Sequence, residues 1–165
     1  MSKTFNRIRW NFVVHVLEKL GFPRNWIDLI YKCISTVPYS VLINGRTTNV
    51  FNPSCGLRQG DPLSPILFSI CNESFSASLS LAIIRKEIKG VSIARDSPPP
   101  TDLFFADDSF FFLHLDNKIL SNFSTILKDY CDDSGQIINY HKSQIFFIPK
   151  TPIDIKNYSI SLFLI

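Results

Sequence analysis

The sequence lacks the cysteine and histidine spacings that build zinc sites or disulfide frameworks. Its four cysteines include no Cys-x-x-Cys pair, and its three histidines lie near none of them. Both a structural zinc site and a disulfide-stapled fold are therefore disfavoured. A reducing compartment fits this cysteine usage best.

Apolar segments of the targeting and membrane-spanning kinds are also missing. The first ten residues contain no signal-peptide core, and no apolar run approaches the length of a membrane-spanning helix. We therefore predict no membrane partner and an intracellular location, in the nucleus or cytoplasm. Charged residues make up only 19% of the chain against 45% hydrophobic residues, which indicates a globular protein rather than a disordered one.

What the chain does have is phenylalanine and a mild excess of positive charge. Its 15 phenylalanines among 165 residues predict a large aromatic core, or surfaces that a longer parent protein covers. The net charge is +3, and many basic residues lie in the first fifth of the chain. Together these basic residues are compatible with a polyanionic partner. Taken one at a time, each is explained by a position on a solvated helix face.

Apolar periodicity predicts helices packed on one face of a mostly antiparallel sheet, an α+β domain. Asn44-Gly45 between two β-prone runs predicts a type I′ hairpin over 39–51. The last fifteen residues show no clear pattern. The predicted helices are 5–20, 25–34 with Asn25 as cap and Trp26 and Cys33 facing inward, a long helix with Ser64 as cap, Pro65 at the next position and Phe75 and Leu79 in its buried stripe, and 119–134. The other predicted strands are 91–93 and 144–148.

Two adjacent carboxylates, Asp107 and Asp108, lie between the apolar runs 103–105 and 110–113. This pattern predicts a hairpin with the two carboxylates at its tip. Asp-Asp is an unfavourable pair for a two-residue turn, which prefers Asn-Gly or Asp-Gly because both central residues need positive φ. Like charges beside apolar surface need compensation, and a divalent metal ion is the simplest compensator. The alternative is an ordinary solvated turn.

A loop over 55–64 contains two glycines, one arginine and one proline, and it leads into the predicted long helix. Backbone amides beside glycine at a helix N-terminus, together with Arg58, form a candidate phosphate site. Taken alone, such a loop is more often a plain connection than a ligand site.

Three blocks then occur in one order along the chain. They are Gly56–Pro65, the Phe105–Asp108 turn, and Ser134–Asn139 followed by Lys142-Ser143. In sequence and spacing they resemble the reverse transcriptase domain of non-LTR, LINE-type retrotransposons, especially those of plants. The resemblance implies a polymerase palm-type domain, with residues 1–149 as a partial fingers and palm region and residues 150–165 as a truncated C-terminal extension.

The resemblance implies RNA-directed DNA polymerase activity, with an RNA template, a DNA primer and deoxynucleotide triphosphates as partners. Asp107 and Asp108 match the turn that binds two Mg²⁺ ions, for which Mn²⁺ can substitute, in nucleotidyl transfer. Lys142 matches a late motif near the leaving phosphates; a surface lysine is the alternative.

Four other residues match positions that meet the nucleotide or template in this family. Arg58, Gln59 and Gly60 match the loop that lies against the incoming nucleotide and template base, where glycine permits close approach. Phe5 matches the aromatic residue that excludes a ribose 2′-hydroxyl, although a core phenylalanine explains it too.

The first family motif begins with a metal-binding aspartate, which by this alignment directly precedes Met1, and Asn6 stands where a second aspartate is usual. We therefore expect a reverse transcriptase fold with little polymerase activity, because loss of a metal ligand weakens positioning and charge stabilisation. One alternative is a non-catalytic remnant that binds nucleic acid through its basic N-terminal helices. A metal-dependent hydrolase using Asp107 and Asp108 is disfavoured, because no further Asp, Glu or His cluster completes its site.

Overall fold

The structure is a computed structural model that describes residues 4–91, 101–105 and 108–163. The α+β class is confirmed, since helices and small antiparallel sheets both occur. The strands of the described residues form two separate two-stranded sheets rather than one larger sheet. The elements are α1 (Thr4–Arg7), α2 (Trp10–Lys19), α3 (Arg24–Ser35), β1 (Leu42–Ile43), β2 (Arg46–Thr47), α4 (Leu63–Ile84), β3 (Asp102–Phe105), β4 (Asp108–Phe111), α5 (Asn117–Ser134) and α6 (Ile153–Phe163).

The chain divides into two compact units. The N-terminal unit comprises Lys3–Cys71 and Asp133–Gly135, and the C-terminal unit comprises Asn72–Asp132 and Gln136–Ile165. Each unit has its own set of buried side chains.

The N-terminal unit begins with two helices where the periodicity predicts one helix over 5–20. The break falls at Ile8-Arg9, where Arg9 is extended. Here the Arg9 N–H donates to the Ser134 carbonyl at 2.9 Å, and the Ile8 carbonyl accepts from the Gly56 N–H at 2.8 Å. Segments distant in sequence thus satisfy the backbone groups at the break, which a local pattern cannot reveal.

The core of this unit contains fully or nearly fully buried apolar side chains from the α1–α2 junction, α2, α3, α4 and the 55–60 loop. The prediction that Trp26 and Cys33 face inward on α3 is wrong, because Trp26 is 56% exposed and Cys33 is exposed. Asn25 is not the cap either, since α3 begins at Arg24 with no side-chain cap. The core members are Ile8, Val13, Leu17, Ile27, Ile30, Leu57, Leu67, Phe68 and Cys71.

The predicted hairpin over 39–51 is confirmed. Asn44 and Gly45 have φ values of 49° and 79°, the two positive angles that a type I′ turn needs. Leu42 pairs with Thr47 across β1 and β2. Further from the turn, Tyr39 and Phe51 exchange two backbone hydrogen bonds of 2.8 Å.

Aromatic rings form the centre of the C-terminal unit, as the phenylalanine content predicts. Phe75 on α4 is fully buried and stacks on Tyr130 of α5 with 4.4 Å between ring centroids. It also contacts Phe104 of β3 and Phe111 of β4 at 5.9 and 5.7 Å. The hairpin that carries the predicted metal site is therefore anchored on its inner face by aromatic packing.

Two predicted strands are not confirmed. Residues 144–148 form no strand, and Phe146 is 87% exposed. Val91 lies outside any strand, and residues 92–93 lie outside the described residues. A short run of β-prone residues is insufficient where no neighbouring strand supplies backbone partners. In contrast, the patternless C-terminus contains α6, whose Phe163 ring contacts Phe123 at 6.0 Å.

Helix α4 has 22 residues and, by length and composition alone, is apolar enough to cross a membrane, contrary to the expectation that no run approaches that length. This is weak evidence for a span, because the core helix of a globular protein has the same properties. Within the C-terminal unit, the Asn72 side chain of α4 accepts a 3.3 Å hydrogen bond from the Tyr130 hydroxyl. Its buried Phe75 and Leu79 point to use as a core helix.

All four cysteines are reduced thiols. Burial raises the pKa of the Cys71 thiol to about 12. Burial, and then the nearby Asp132 carboxylate, raises the pKa of Cys131 to about 11. Both therefore stay protonated at neutral pH and are poor nucleophiles.

Candidate functional site

The β3–β4 hairpin places one predicted metal ligand at its end. The strands pair in antiparallel register from Asp102↔Phe111 to Phe105↔Asp108. Because side chains alternate across a sheet, Phe104 and Phe111 pack inward while Phe105, 75% exposed, and Asp108 face outward. Asp107, the other member of the predicted pair, lies outside the described residues.

The chemistry of Asp108 fits a hard divalent cation. Its carboxylate is exposed, and it makes no hydrogen bond or ion pair with another described residue. Carboxylate oxygen is the ligand that Mg²⁺ prefers in proteins. Within residues 4–91, 101–105 and 108–163 no group of three or more His, Cys, Asp or Glu side chains comes together. Metal binding by the Asp107-Asp108 pair thus stays a prediction.

The loop with Arg58, Gln59 and Gly60 lies in the N-terminal unit, and all three residues are exposed. Gly60 has a φ of +88°, so its backbone conformation itself favours glycine. A Cβ added there would meet no described atom within 4 Å. The space beside Gly60 is open to a ligand, as the predicted role requires.

Asp61, and not Ser64, caps the N-terminus of α4. The Asp61 carboxylate accepts a 2.8 Å hydrogen bond from the Leu63 N–H, and the helix begins at Leu63. Ser64 is buried within the first turn. The helix end already holds a carboxylate from its own chain, which disfavours the predicted phosphate site at this position.

Phe5 is half-buried, and its ring packs on Phe68 of α4 with 4.8 Å between centroids. The Phe5 carbonyl accepts a 2.7 Å hydrogen bond from the Leu57 N–H. These contacts are those expected of a core phenylalanine, which is one of the two interpretations of Phe5. The same hydrogen bond places Phe5 beside the loop that contains Arg58. Its role in nucleotide binding stays a prediction.

Lys142 lies in the C-terminal unit, in a 3₁₀ turn over Tyr140–Lys142. Its side chain is exposed and forms no ion pair with the rest of the described chain. Both interpretations of Lys142, phosphate contact and surface lysine, stay open. Of the predicted residues, the structure joins Phe5 to the 58–60 loop in one unit and places Asp108 and Lys142 in the other.

One functional candidate was missed by the sequence analysis. The buried Trp10 indole N–H donates a 2.7 Å hydrogen bond to the Gly56 carbonyl, at the start of the predicted nucleotide loop. The two residues are 46 positions apart. No periodic pattern links them, so only the folded chain reveals the contact.

Comparison with known proteins gives a family match over nearly the whole chain. The family described as reverse transcriptase (RNA-dependent DNA polymerase) matches residues 1–160. An uncharacterised mitochondrial protein of Arabidopsis thaliana is 34% identical over 113 residues, which cover 67% of this chain and 90% of that protein.

Two similar proteins come from insect mobile elements. The retrovirus-related Pol polyprotein of type-1 retrotransposable element R2 from Popillia japonica is 31% identical over 70 residues, 42% of this chain and 12% of the polyprotein. The polyprotein of type-2 retrotransposable element R2DM from Drosophila melanogaster is also 31% identical over 70 residues, covering 7% of its length. The similarity thus spans a small part of each polyprotein.

Proposed function

The chain belongs to the reverse transcriptase family, of the non-LTR retrotransposon type, and from this premise we propose that its chemistry is RNA-templated nucleotidyl transfer to a DNA primer. The family implies a nucleic acid template, nucleotide substrates and divalent metal ions. A palm-type arrangement is part of the proposal. The observation that carries it is the exposed Asp108 carboxylate, at the end of an aromatic-anchored hairpin, within the family match.

Asp107 and Asp108 are the proposed ligands of Mg²⁺ or Mn²⁺. When bound, such an ion lowers the pKa of the primer 3′-hydroxyl and neutralises charge on the leaving pyrophosphate. The inward packing of Phe104 and Phe111 fixes the strand that carries Asp108. Pre-set carboxylates lose little freedom on binding a cation, which favours affinity.

The exposed Arg58–Gly60 loop is the proposed contact for the incoming nucleotide. The Arg58 guanidinium can donate bidentate hydrogen bonds to phosphate, and Gly60 lets the backbone approach the nucleotide closely. Phe5 is the proposed barrier to a ribose 2′-hydroxyl, and Lys142 the proposed donor to the leaving phosphates. We further propose that the 165-residue polypeptide by itself polymerises poorly, since the resemblance implies a third carboxylate.

Metal binding tests the proposed role of the aspartate pair directly. We expect the Asp108→Asn variant to bind Mn²⁺ at least about tenfold more weakly than the unaltered polypeptide in an electron paramagnetic resonance titration, because a neutral amide replaces an anionic ligand.

Asp102→Asn is the matched control for this titration. Asp102 lies at the other end of the same hairpin, and its carboxylate accepts a 2.8 Å hydrogen bond from the Thr101 hydroxyl, which an Asn oxygen can also accept. Equal loss of Mn²⁺ affinity in the Asp102 and Asp108 variants would contradict the assignment.

Charge distribution favours the second candidate, nucleic-acid binding without catalysis. The N-terminal unit contains eight Lys and Arg against four Asp and Glu, whereas the remainder contains nine against ten. The positive excess is therefore confined to the unit that contains the basic helices. Such an excess attracts phosphate backbones without base specificity.

Salt dependence tests this second candidate. We expect affinity for a single-stranded RNA oligonucleotide to fall linearly with log salt concentration in fluorescence anisotropy, because each contact releases counterions. A double Lys19→Gln, Lys32→Gln variant should show a slope smaller by about 1 to 2. A Lys118→Gln, Lys128→Gln variant in the C-terminal unit is the control; equal slopes in all three proteins would contradict the candidate.

A further inference from the structure

We infer that Trp10 is a positioning residue, whose buried indole holds the Arg58–Gly60 loop in place through the carbonyl of Gly56. The inference rests on the proposed function, because it assumes that this loop meets the incoming nucleotide. Trp10 lies outside the three motif blocks of the sequence.

The loop begins where its backbone crosses the α1–α2 junction. The Gly56 N–H donates to the Ile8 carbonyl at 2.8 Å, and the Leu57 N–H donates to the Phe5 carbonyl at 2.7 Å. Gly56 has a φ of +95°, and a Cβ added to it would lie 2.8 Å from the Asn6 carbonyl oxygen. The two backbones therefore touch, and the start of the loop has little freedom to shift.

Trp10 provides the side-chain contact to this crossing. Its indole N–H donates to the Gly56 carbonyl at 2.7 Å, while its ring meets Tyr31 edge-on with 6.3 Å between centroids. The indole is buried, so a side chain at position 10 that lacks the N–H leaves the Gly56 carbonyl without this hydrogen-bond donor. Unlike the backbone contacts, this hydrogen bond can be removed by substitution.

The far end of the loop is fixed independently. The Asp61 carboxylate accepts from the Leu63 N–H at 2.8 Å and so joins the loop to α4. Residues 58–60 are exposed between these two anchors. Weakening one anchor should let the exposed turn move while the buried core stays intact, because Leu57 remains packed in the core.

Trp10→Phe removes the indole donor and keeps an aromatic ring against Tyr31. Trp26→Phe is the matched control, because the chain has only two tryptophans and Trp26 is 56% exposed on α3. Binding of dATP in the presence of Mg²⁺ is measured by equilibrium dialysis for the unaltered polypeptide and both variants. The rate of tryptic cleavage after Arg58 is measured relative to cleavage after Arg46.

We expect Trp10→Phe to bind dATP about fivefold to tenfold more weakly, the effect of one lost hydrogen bond, and to be cut after Arg58 at least several-fold faster. Trp26→Phe should match the unaltered polypeptide in both measurements. Should Trp10→Phe fail to fold, 3-benzothienylalanine at position 10 keeps the ring shape, replaces N–H by sulfur, and gives the same comparison.

Unchanged cleavage after Arg58 in a folded Trp10 variant would overturn the positioning role. If the unaltered polypeptide binds no dATP with Mg²⁺, the proposed function fails, while the cleavage rates still decide whether Trp10 holds the loop. Unchanged dATP affinity together with faster cleavage would overturn the link between loop position and nucleotide binding.

Discussion

Joining the chain to an upstream segment that ends in aspartate directly before Met1 is expected to raise RNA-templated primer extension by at least about 10³-fold over the 165-residue polypeptide. The reason is the ligand set. The sequence supplies Asp107 and Asp108, and the family resemblance aligns a third metal-binding carboxylate with the position before Met1. Most of the rate in phosphoryl transfer comes from positioning and charge stabilisation, so the presence of this one carboxylate should have a large effect.

The comparison needs two extended polypeptides that differ at one residue, Asp or Asn before Met1. Both have the same length and the same upstream segment, so any gain from added surface cancels. Primer extension with Mg²⁺, and separately with Mn²⁺, measures the rate. Equal rates in the two extended polypeptides, or robust template-dependent synthesis by the 165-residue polypeptide, would contradict the proposed ligand set.

Gly135→Ala is expected to destabilise the protein by about 3 kcal/mol or more, a large part of the total stability of a small domain. Gly135 has a φ of +79°, and a Cβ there would lie 2.6 Å from the Arg7 carbonyl oxygen and 3.0 Å from Arg9 Cγ. The Arg7 oxygen is backbone and cannot rotate away. The same reasoning gives Gly56→Ala a comparable loss, since its Cβ would meet the Asn6 backbone.

Gly21→Ala separates the strain of a positive φ from the steric clash. Gly21 has a φ of +81° but has nothing within 4 Å of an added Cβ, so its loss should be only about 1–2 kcal/mol. Urea unfolding followed by circular dichroism gives the free energy of unfolding for each variant. A Gly135→Ala loss no larger than that of Gly21→Ala would show that the close crossing does not constrain the fold.

Local chemistry was enough to predict several elements. Asn44-Gly45 specified the type I′ hairpin, since few other residue pairs adopt two positive φ angles. The apolar stripe of α4 was predicted through Phe75 and Leu79, both fully buried. Apolar runs on both sides of Asp107-Asp108 predicted the β3–β4 hairpin, whose strands end and begin at Phe105 and Asp108.

Features that depend on distant contacts were not predictable from local patterns. The break between α1 and α2 depends on bonds to Gly56 and Ser134, and α6 gains its aromatic contact from Phe123. Residues 144–148 contain an apolar, β-prone run but pair with no described strand. Trp26 has helical spacing with Ile30 yet lies outside the buried face.

The candidate site shows the same division. Family resemblance predicts which residues carry the chemistry, because each motif block is a short contiguous stretch of sequence. It did not indicate what holds them. The cap from Asp61 and the hydrogen bond from Trp10 depend on side-chain geometry that the spacing of residues does not encode.

Iron-mediated cleavage locates the divalent ion that we propose the Asp107-Asp108 turn binds. Fe²⁺ bound in place of Mg²⁺ produces hydroxyl radicals that cut the nearby backbone in the presence of ascorbate and peroxide. We expect the strongest cuts to fall within a few residues of Asp108, and excess Mg²⁺ or a double Asp107→Asn, Asp108→Asn substitution to abolish them. Strongest cuts elsewhere in the chain, or unchanged cuts in the double variant, would contradict metal binding at this turn.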